Sequence, residues 1–147
     1  MKRIRIDRDI CVGCMSCSVA CMLSHSETEN IHQLDIDNLD NGSRNHIGVA
    51  ADGKYVPIFC RHCDRPECTY TCMAGAMTKN LETGRVEYNS EKCASCFMCI
   101  MACPYGVLKA DNRNHKTILK CDLCAGRDEP ACINNCPTGA ITFEEVE

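Results

Sequence analysis

The sequence predicts an α+β fold of short strands and short helices repeated along the chain, and three observations predict it. The sixteen cysteines fall into four quartets with none left over: Cys11, Cys14, Cys17 and Cys21; Cys60, Cys63, Cys68 and Cys72; Cys93, Cys96, Cys99 and Cys103; Cys121, Cys124, Cys132 and Cys136. The segments after three of the fourth cysteines align in one register, "CMAGAMT" (72–78), "CPYGVLK" (103–109) and "CPTGAIT" (136–142). Alternating apolar and polar runs precede three quartets, "KRIRID" before Cys11, "GRVEY" before Cys93 and "KTILK" before Cys121. Alternation with period two is the mark of a half-buried strand, and its recurrence marks an internal repeat. The repeating unit is a strand, a cysteine loop, a short helical turn and a strand.

Taken in order, "KRIRID" reads as an edge strand with its basic side chains outward. The first quartet follows at once. Next comes "MLSHSETENIHQLDIDNLDNGSRNHIGVAADGKYVPIF" (22–59), which has no cysteine. Its front half is polar, with turn formers at Asn38, Asn41 and Gly42, and "DGKYVPIF" reads as a turn into a strand. The segment is expected to be a surface excursion, either a docking element or a passive loop. The second and third quartets are followed by Gly75 and Gly106, and the fourth by Gly139, each at the same offset. A glycine fixed in that way suits a turn needing positive φ, or a close backbone approach.

Three structures could absorb sixteen thiols. Disulfides suit small secreted chains, but "MKRIRIDRDI" has no apolar signal-peptide core. Structural zinc takes four ligands, typically as two Cys-x-x-Cys knuckles with a long spacer. The second and fourth quartets could pass singly for irregular knuckles; the first and third, with three cysteines at three-residue spacing, could not. Cys-x-x-Cys-x-x-Cys-x-x-x-Cys-Pro is instead the spacing of a bacterial ferredoxin loop. There the first three cysteines hold one [4Fe–4S] cluster and the fourth ligates its neighbour. Pro104 and Pro137 close two of the quartets in this way.

With the run "KCASCFMCIMACPYGVLKADNRNHKTILKCDLCAGRDEPACINNCPTGAI", the quartets resemble the four-cluster iron–sulfur subunits associated with the dimethyl sulfoxide reductase family. Within that group, the chain is most similar to the small electron-transfer subunits of carbon monoxide dehydrogenase and tungsten aldehyde oxidoreductase systems. The likeness covers 1–21 and 60–147. Met73, where the family commonly has proline, and the long spacer between Cys124 and Cys132 depart from its pattern. The resemblance implies two bacterial ferredoxin-like modules. The outer one comprises 1–59 plus 120–147, with the insertion 22–59, and the inner one 60–119. It further implies four [4Fe–4S] clusters. Cys60, Cys63, Cys68 and Cys103 would hold one, and Cys93, Cys96, Cys99 and Cys72 its neighbour. Cys11, Cys14, Cys17 and Cys136 would hold the third, and Cys121, Cys124, Cys132 and Cys21 the fourth.

Spending sixteen positions on ligands, with no Trp and three Phe, leaves a thin core, so the clusters are expected to serve as core and to contribute folding free energy. His62 reads as a neighbour of a cluster rather than a ligand. Met98 and Met101, like Phe97 and Ile100, read as side chains that keep water from a cluster. The formal charge of −4 becomes roughly −12 once each cubane with its four thiolates adds about −2. That acidity argues against nucleic acid. No apolar stretch approaches a membrane span, neither a twin-arginine pair nor a lipidation motif is visible, and a cytoplasmic location is expected. No Gly-rich dinucleotide loop follows a strand, and no quartet lacks a cysteine, so no open iron site for catalysis is expected. The function read from the sequence is that of a non-catalytic subunit in a hetero-oligomer. It relays single electrons between a catalytic oxidoreductase, carbon monoxide dehydrogenase or similar, and a flavoprotein or other redox acceptor. The alternative is the iron–sulfur subunit of a tungsten aldehyde oxidoreductase, molybdopterin oxidoreductase or hydrogenase complex.

Overall fold

The alternating runs form strands, but very short ones, and each finds a single antiparallel partner. The computed structural model describes residues 2–28, 30–35, 42–111 and 116–145. Strand β1 (Lys2–Ile6) is followed by helix α1 (Ser16–Ser24), a 3₁₀ turn at Ile31–Gln33, β2 (His46–Val49) and β3 (Tyr55–Ile58). Then come α2 (Glu67–Tyr70), β4 (Met77–Lys79), β5 (Val86–Tyr88), a 3₁₀ turn at Ser90–Lys92 and α3 (Met98–Ala102). The chain closes with β6 (Lys109–Ala110), β7 (Ile118–Leu119), α4 (Ala131–Asn134) and β8 (Ile141–Glu145). Short helices and strands in this mixture are an α+β fold.

The chain's two ends pair with each other. β1 lies antiparallel to β8, with Ile4 opposite Phe143 and Ile6 opposite Ile141, and α1 packs on α4. Between them, β4 pairs with β5 while α2 packs on α3. The helices repeat as the sequence does. α1 and α3 each follow a left-handed N-cap residue without a side-chain cap, Met15 and Phe97. α2 and α4 are single turns entered from Pro66 and Pro130, residues whose fixed φ is compatible with a helix start.

The buried core falls into two clusters, and thiols carry much of each. One gathers Cys60, Met77, Cys99, Val107, Leu108 and Ile118, and the other Cys17, Ile47, Phe59, Cys132 and Ile141. Ile47 and Phe59 come from the segment expected to be a surface excursion, so that expectation holds for only part of it. Residues 46–58 form the β2–β3 hairpin, with Ile47 opposite Pro57. Leu34 and Asn45 are also buried. An apolar alternation only four residues long had hidden the first strand. Gly42 is among the described residues, whereas Asn38 and Asn41 lie outside them.

Candidate iron–sulfur centres

Backbone conformation comes first, because it is the same in all four loops. Each quartet opens with Cys-x-x-Cys, and the third residue of each has positive φ: Gly13 at 66°, His62 at 46°, Ser95 at 56° and Leu123 at 56°. Met15 and Phe97, one residue beyond the second cysteine, repeat this at 62° and 57°, and Cys124 itself sits at 50°. Every non-glycine residue with positive φ among those described belongs to a cysteine loop. Each such residue costs of the order of 1–2 kcal/mol for an L-amino acid. What the turn achieves is to aim successive N–H groups at one centre, the nest geometry that holds anions and Fe–S clusters. Some N–H groups already meet sulfur: Leu123 N donates to Cys121 Sγ at 3.4 Å, Arg44 N to Cys21 Sγ at 3.3 Å and Ala131 N to Cys124 Sγ at 3.5 Å.

Gly75, Gly106 and Gly139 have φ of 64°, 59° and 68°, with open space where a Cβ would stand. The turn with positive φ expected at these glycines is present. Met73, in the place of a proline, points its side chain to solvent.

The fourth cysteines cross over. Cys11, Cys14 and Cys17 share a small cavity with Cys136, walled by Ile47, Pro57 and Ile141. Cys60, Cys63 and Cys68 share another with Cys103, His62, Val86 and Val107. The remaining two sets are linked electrostatically. Burial pushes the Cys99 thiol up to about 11, and its neighbours Cys68, Cys72 and Cys93 add to the shift. Burial likewise pushes Cys132 up to about 12, with Cys21, Cys124 and Cys17 contributing. Cys121 is raised by burial and then by Cys60 and Cys21. Cys14 and Cys96 are the exposed cysteines; the other fourteen are half-buried or buried.

These features fit an iron–sulfur cluster. Three cysteines at close spacing joined in one pocket by a cysteine from a distant quartet are the ferredoxin arrangement, not the paired knuckles of structural zinc. Thiols that burial holds protonated become ligands when a metal's charge replaces the proton. Met98 and Met101 are exposed and wall off no water, contrary to expectation. Phe97 and Ile100 do pack against the inner core, because one turn of helix turns only one side inward.

Several polar neighbours of these loops went unread in the sequence. Lys120 is buried, its Nζ donating to Val86 O at 2.6 Å and Cys121 O at 2.8 Å. Lys79 Nζ donates to the carbonyls of His62, Cys63 and Gly84 at 2.7–2.8 Å. Asp122 accepts from Cys124 N at 3.0 Å and pairs with His25 Nε2 at 3.1 Å and Arg44 Nη1 at 3.0 Å. Burial opposes charge on His25, but the bonds to Asp122 and Cys21 outweigh it and hold the imidazole up to about 10. His62 is the opposite case: burial first, then the Lys120 and Lys79 ammoniums, push it down to about 2, so it is neutral. Nothing local in the sequence marks Lys120 as a lysine covered by a distant strand.

Comparison with known proteins agrees with this chemistry. Residues 51–146 match the 4Fe-4S dicluster domain. The chain is 32% identical to an iron–sulfur protein of Rhodospirillum rubrum, over 95% of its own length and 80% of that protein's. It is 36% identical to the probable anaerobic dimethyl sulfoxide reductase chain YnfG of Escherichia coli, covering 97% and 72% of the two chains. Protein NrfC of Escherichia coli is 34% identical, with 96% and 64% covered. Among solved structures, a chain of the active-site complex BamBC of benzoyl coenzyme A reductase superposes with a TM-score of 0.51 at 25% identity, covering 98% of this chain and 76% of that one. No helix of the described residues is long and apolar enough to cross a membrane. The chain belongs to the 4Fe-4S dicluster domain family, as a ferredoxin-like iron–sulfur subunit of the kind that transfers electrons in oxidoreductase complexes.

Proposed function

We propose that the chain is a four-cluster wire with two open ends. The ligand sets are Cys11, Cys14, Cys17 and Cys136; Cys121, Cys124, Cys132 and Cys21; Cys60, Cys63, Cys68 and Cys103; and Cys93, Cys96, Cys99 and Cys72, in that spatial order. The outer two-ended module (1–59 with 120–147) carries the first two and the inner module (60–119) the last two. The observation that carries this reading is the electrostatic proximity of thiols in successive sets together with the place of the exposed thiols. Cys17 adds to the shift of Cys132, Cys60 to that of Cys121, and Cys68 to that of Cys99. The exposed Cys14 and Cys96 then fall in the two terminal sets, where partners can exchange electrons.

Clusters bound there would supply one-electron chemistry. The chain's own residues hold the irons by thiolate, aim N–H groups at them and exclude water from the two central sets. With every iron saturated by cysteine, the subunit has no catalytic site of its own. It delivers electrons between a catalytic oxidoreductase, carbon monoxide dehydrogenase or a similar enzyme, and a flavin-containing or other acceptor, in a cytoplasmic hetero-oligomer. The varied complexes named for its relatives support a docking role whose catalytic partner differs from case to case.

Anaerobic purification tests the wire reading: about sixteen iron and sixteen acid-labile sulfur per chain are expected. Added to a cognate low-potential oxidoreductase, the protein should speed reduction of an acceptor in a salt-sensitive way. Eight iron with stoichiometric zinc, or turnover of carbon monoxide, an aldehyde or NADH by the isolated chain, would refute it.

A further inference from the structure

Among the described residues a few buried side-chain donors lack an acceptor, and one of them, on His62, lines a cysteine cavity. His62 lies between Cys60 and Cys63, is 2% exposed, and lines the cavity shared by Cys60, Cys63, Cys68 and Cys103. Its Nδ1 is 2.9 Å from the Val86 backbone N–H. A backbone amide only donates, so Nδ1 is the acceptor and the ring proton resides on Nε2. That Nε2–H is fully buried and meets no nitrogen, oxygen or cysteine sulfur of the described residues within hydrogen-bonding reach. Buried donors without partners are rare, because nothing replaces the water they gave up. The chain also holds His62 at φ 46°, a left-handed conformation that histidine adopts more readily than most residues.

We propose that His62 Nε2–H donates a hydrogen bond to an inorganic sulfide of the cluster held by Cys60, Cys63, Cys68 and Cys103, and that this bond raises the cluster's reduction potential. The inference rests on the ligand set proposed above. A sulfide is the acceptor that the protein's own atoms do not provide, and reduction adds negative charge to it, so the bond strengthens when the electron arrives. The equivalent positions of the other loops are Gly13, Ser95 and Leu123; none of these carries a ring donor. The effect is therefore confined to one cluster of the four.

Two substitutions separate the hydrogen bond from the fold. In His62→Asn the amide oxygen stands where Nδ1 stood, so it keeps the Val86 N–H and tolerates positive φ, but no donor reaches the Nε2 position. In His62→Gln an amide N–H₂ reaches towards that position. Redox titration of the holoprotein followed by electron paramagnetic resonance should show the equilibrium constant for reduction of this cluster falling about tenfold in His62→Asn, or 59 mV for one electron. The same constant should be largely restored in His62→Gln, and the other three clusters should be unmoved. Pulsed resonance on protein with nitrogen-15 histidine should show a coupling in the wild type that His62→Asn abolishes. The signal is assigned as the one that Cys63→Ser alters. A loaded wild type whose potential and nitrogen coupling match those of His62→Asn would overturn the hydrogen bond alone. A wild type short of sixteen iron, or a Cys63→Ser variant that alters no signal, would overturn the ligand set and the inference with it.

Discussion

Replacing Lys120 with Met should lower the potentials of two clusters at once and leave the other two nearly unchanged. Lys120 is the one lysine or arginine buried among the described residues, at 5% exposure. Its Nζ lies 2.8 Å from Cys121 O, and covalent geometry places that oxygen within about 5 Å of the same residue's sulfur. The ammonium and a ligand of the Cys121 set are therefore at most about 8 Å apart. At that distance and an effective dielectric near 20, a unit charge is worth roughly 2 kcal/mol, or about 90 mV for one electron. Spreading the electron over a cubane brings the expected drop to about 40–90 mV. The same ammonium reaches the second cavity: burial raises the Cys68 thiol and Lys120 pulls it back down. So the sets of Cys121, Cys124, Cys132 and Cys21 and of Cys60, Cys63, Cys68 and Cys103 should both shift. Lys120→Arg, which keeps the charge, should restore most of the effect. The assay is an anaerobic titration followed by electron paramagnetic resonance, on protein with its full iron content. Unchanged potentials in loaded Lys120→Met, or an equal drop in all four clusters, would refute the reasoning.

Cys72→Ala should damage the cluster of Cys93, Cys96 and Cys99 and affect that of Cys60, Cys63 and Cys68 less; resonance spectra that lose the Cys60 centre instead would reverse the proposed crossover. Gly106→Ala meets no neighbour and pays backbone strain alone, about 1–2 kcal/mol. Gly13→Ala, at similar φ, also drives its Cβ to 2.4 Å from the Tyr55 ring, adding about 1–3 kcal/mol of overpacking. Bleaching of visible absorbance in guanidinium should rank the two, and Tyr55→Ala should rescue only the excess in Gly13→Ala. Chelating the iron should abolish circular dichroism and near-native compactness together, since the core clusters are built on thiols.

How far the sequence carries can be seen residue by residue. The strands at Lys2–Ile6 and Val86–Tyr88 were legible from their alternation; Ile118–Leu119 was legible too, although both its residues are buried; and the glycines at 75, 106 and 139 were legible because glycine is at ease in their turns. The cavity partners Cys136 and Cys103 were legible from spacing together with a resemblance, as no local signal tells a cysteine which distant loop it joins. The left-handed residues His62, Ser95, Phe97 and Leu123 were not legible. Histidine visits that region more readily than most residues, but serine, phenylalanine and leucine have no such preference, so the demand comes from what the loop encloses. The β2 strand and the burial of Lys120 were hidden for a related reason: contacts from elsewhere in the chain decide both.

The hidden positions bear most directly on function. Among the described residues six non-glycine residues hold positive φ, and all six sit in cysteine loops, so strain of several kcal/mol in total is gathered around these loops. A chain of this size, whose whole stability is of the order of 5–15 kcal/mol, does not keep such strain without a return. Metal–thiolate bonding and inward N–H groups supply it. It follows that the loop geometry is set by the cluster as much as by the chain. A substitution that relieves the strain, such as Phe97→Gly, should then fail to improve cluster retention, read as the rate at which visible absorbance bleaches. Side-chain packing belongs to the same economy, because Phe97 also packs on the inner core, and glycine there would open the path of water to the Cys93 set. In this protein the strained residues both shape the cavity and shield what it holds, which is why they are not the glycines that backbone energy alone would select.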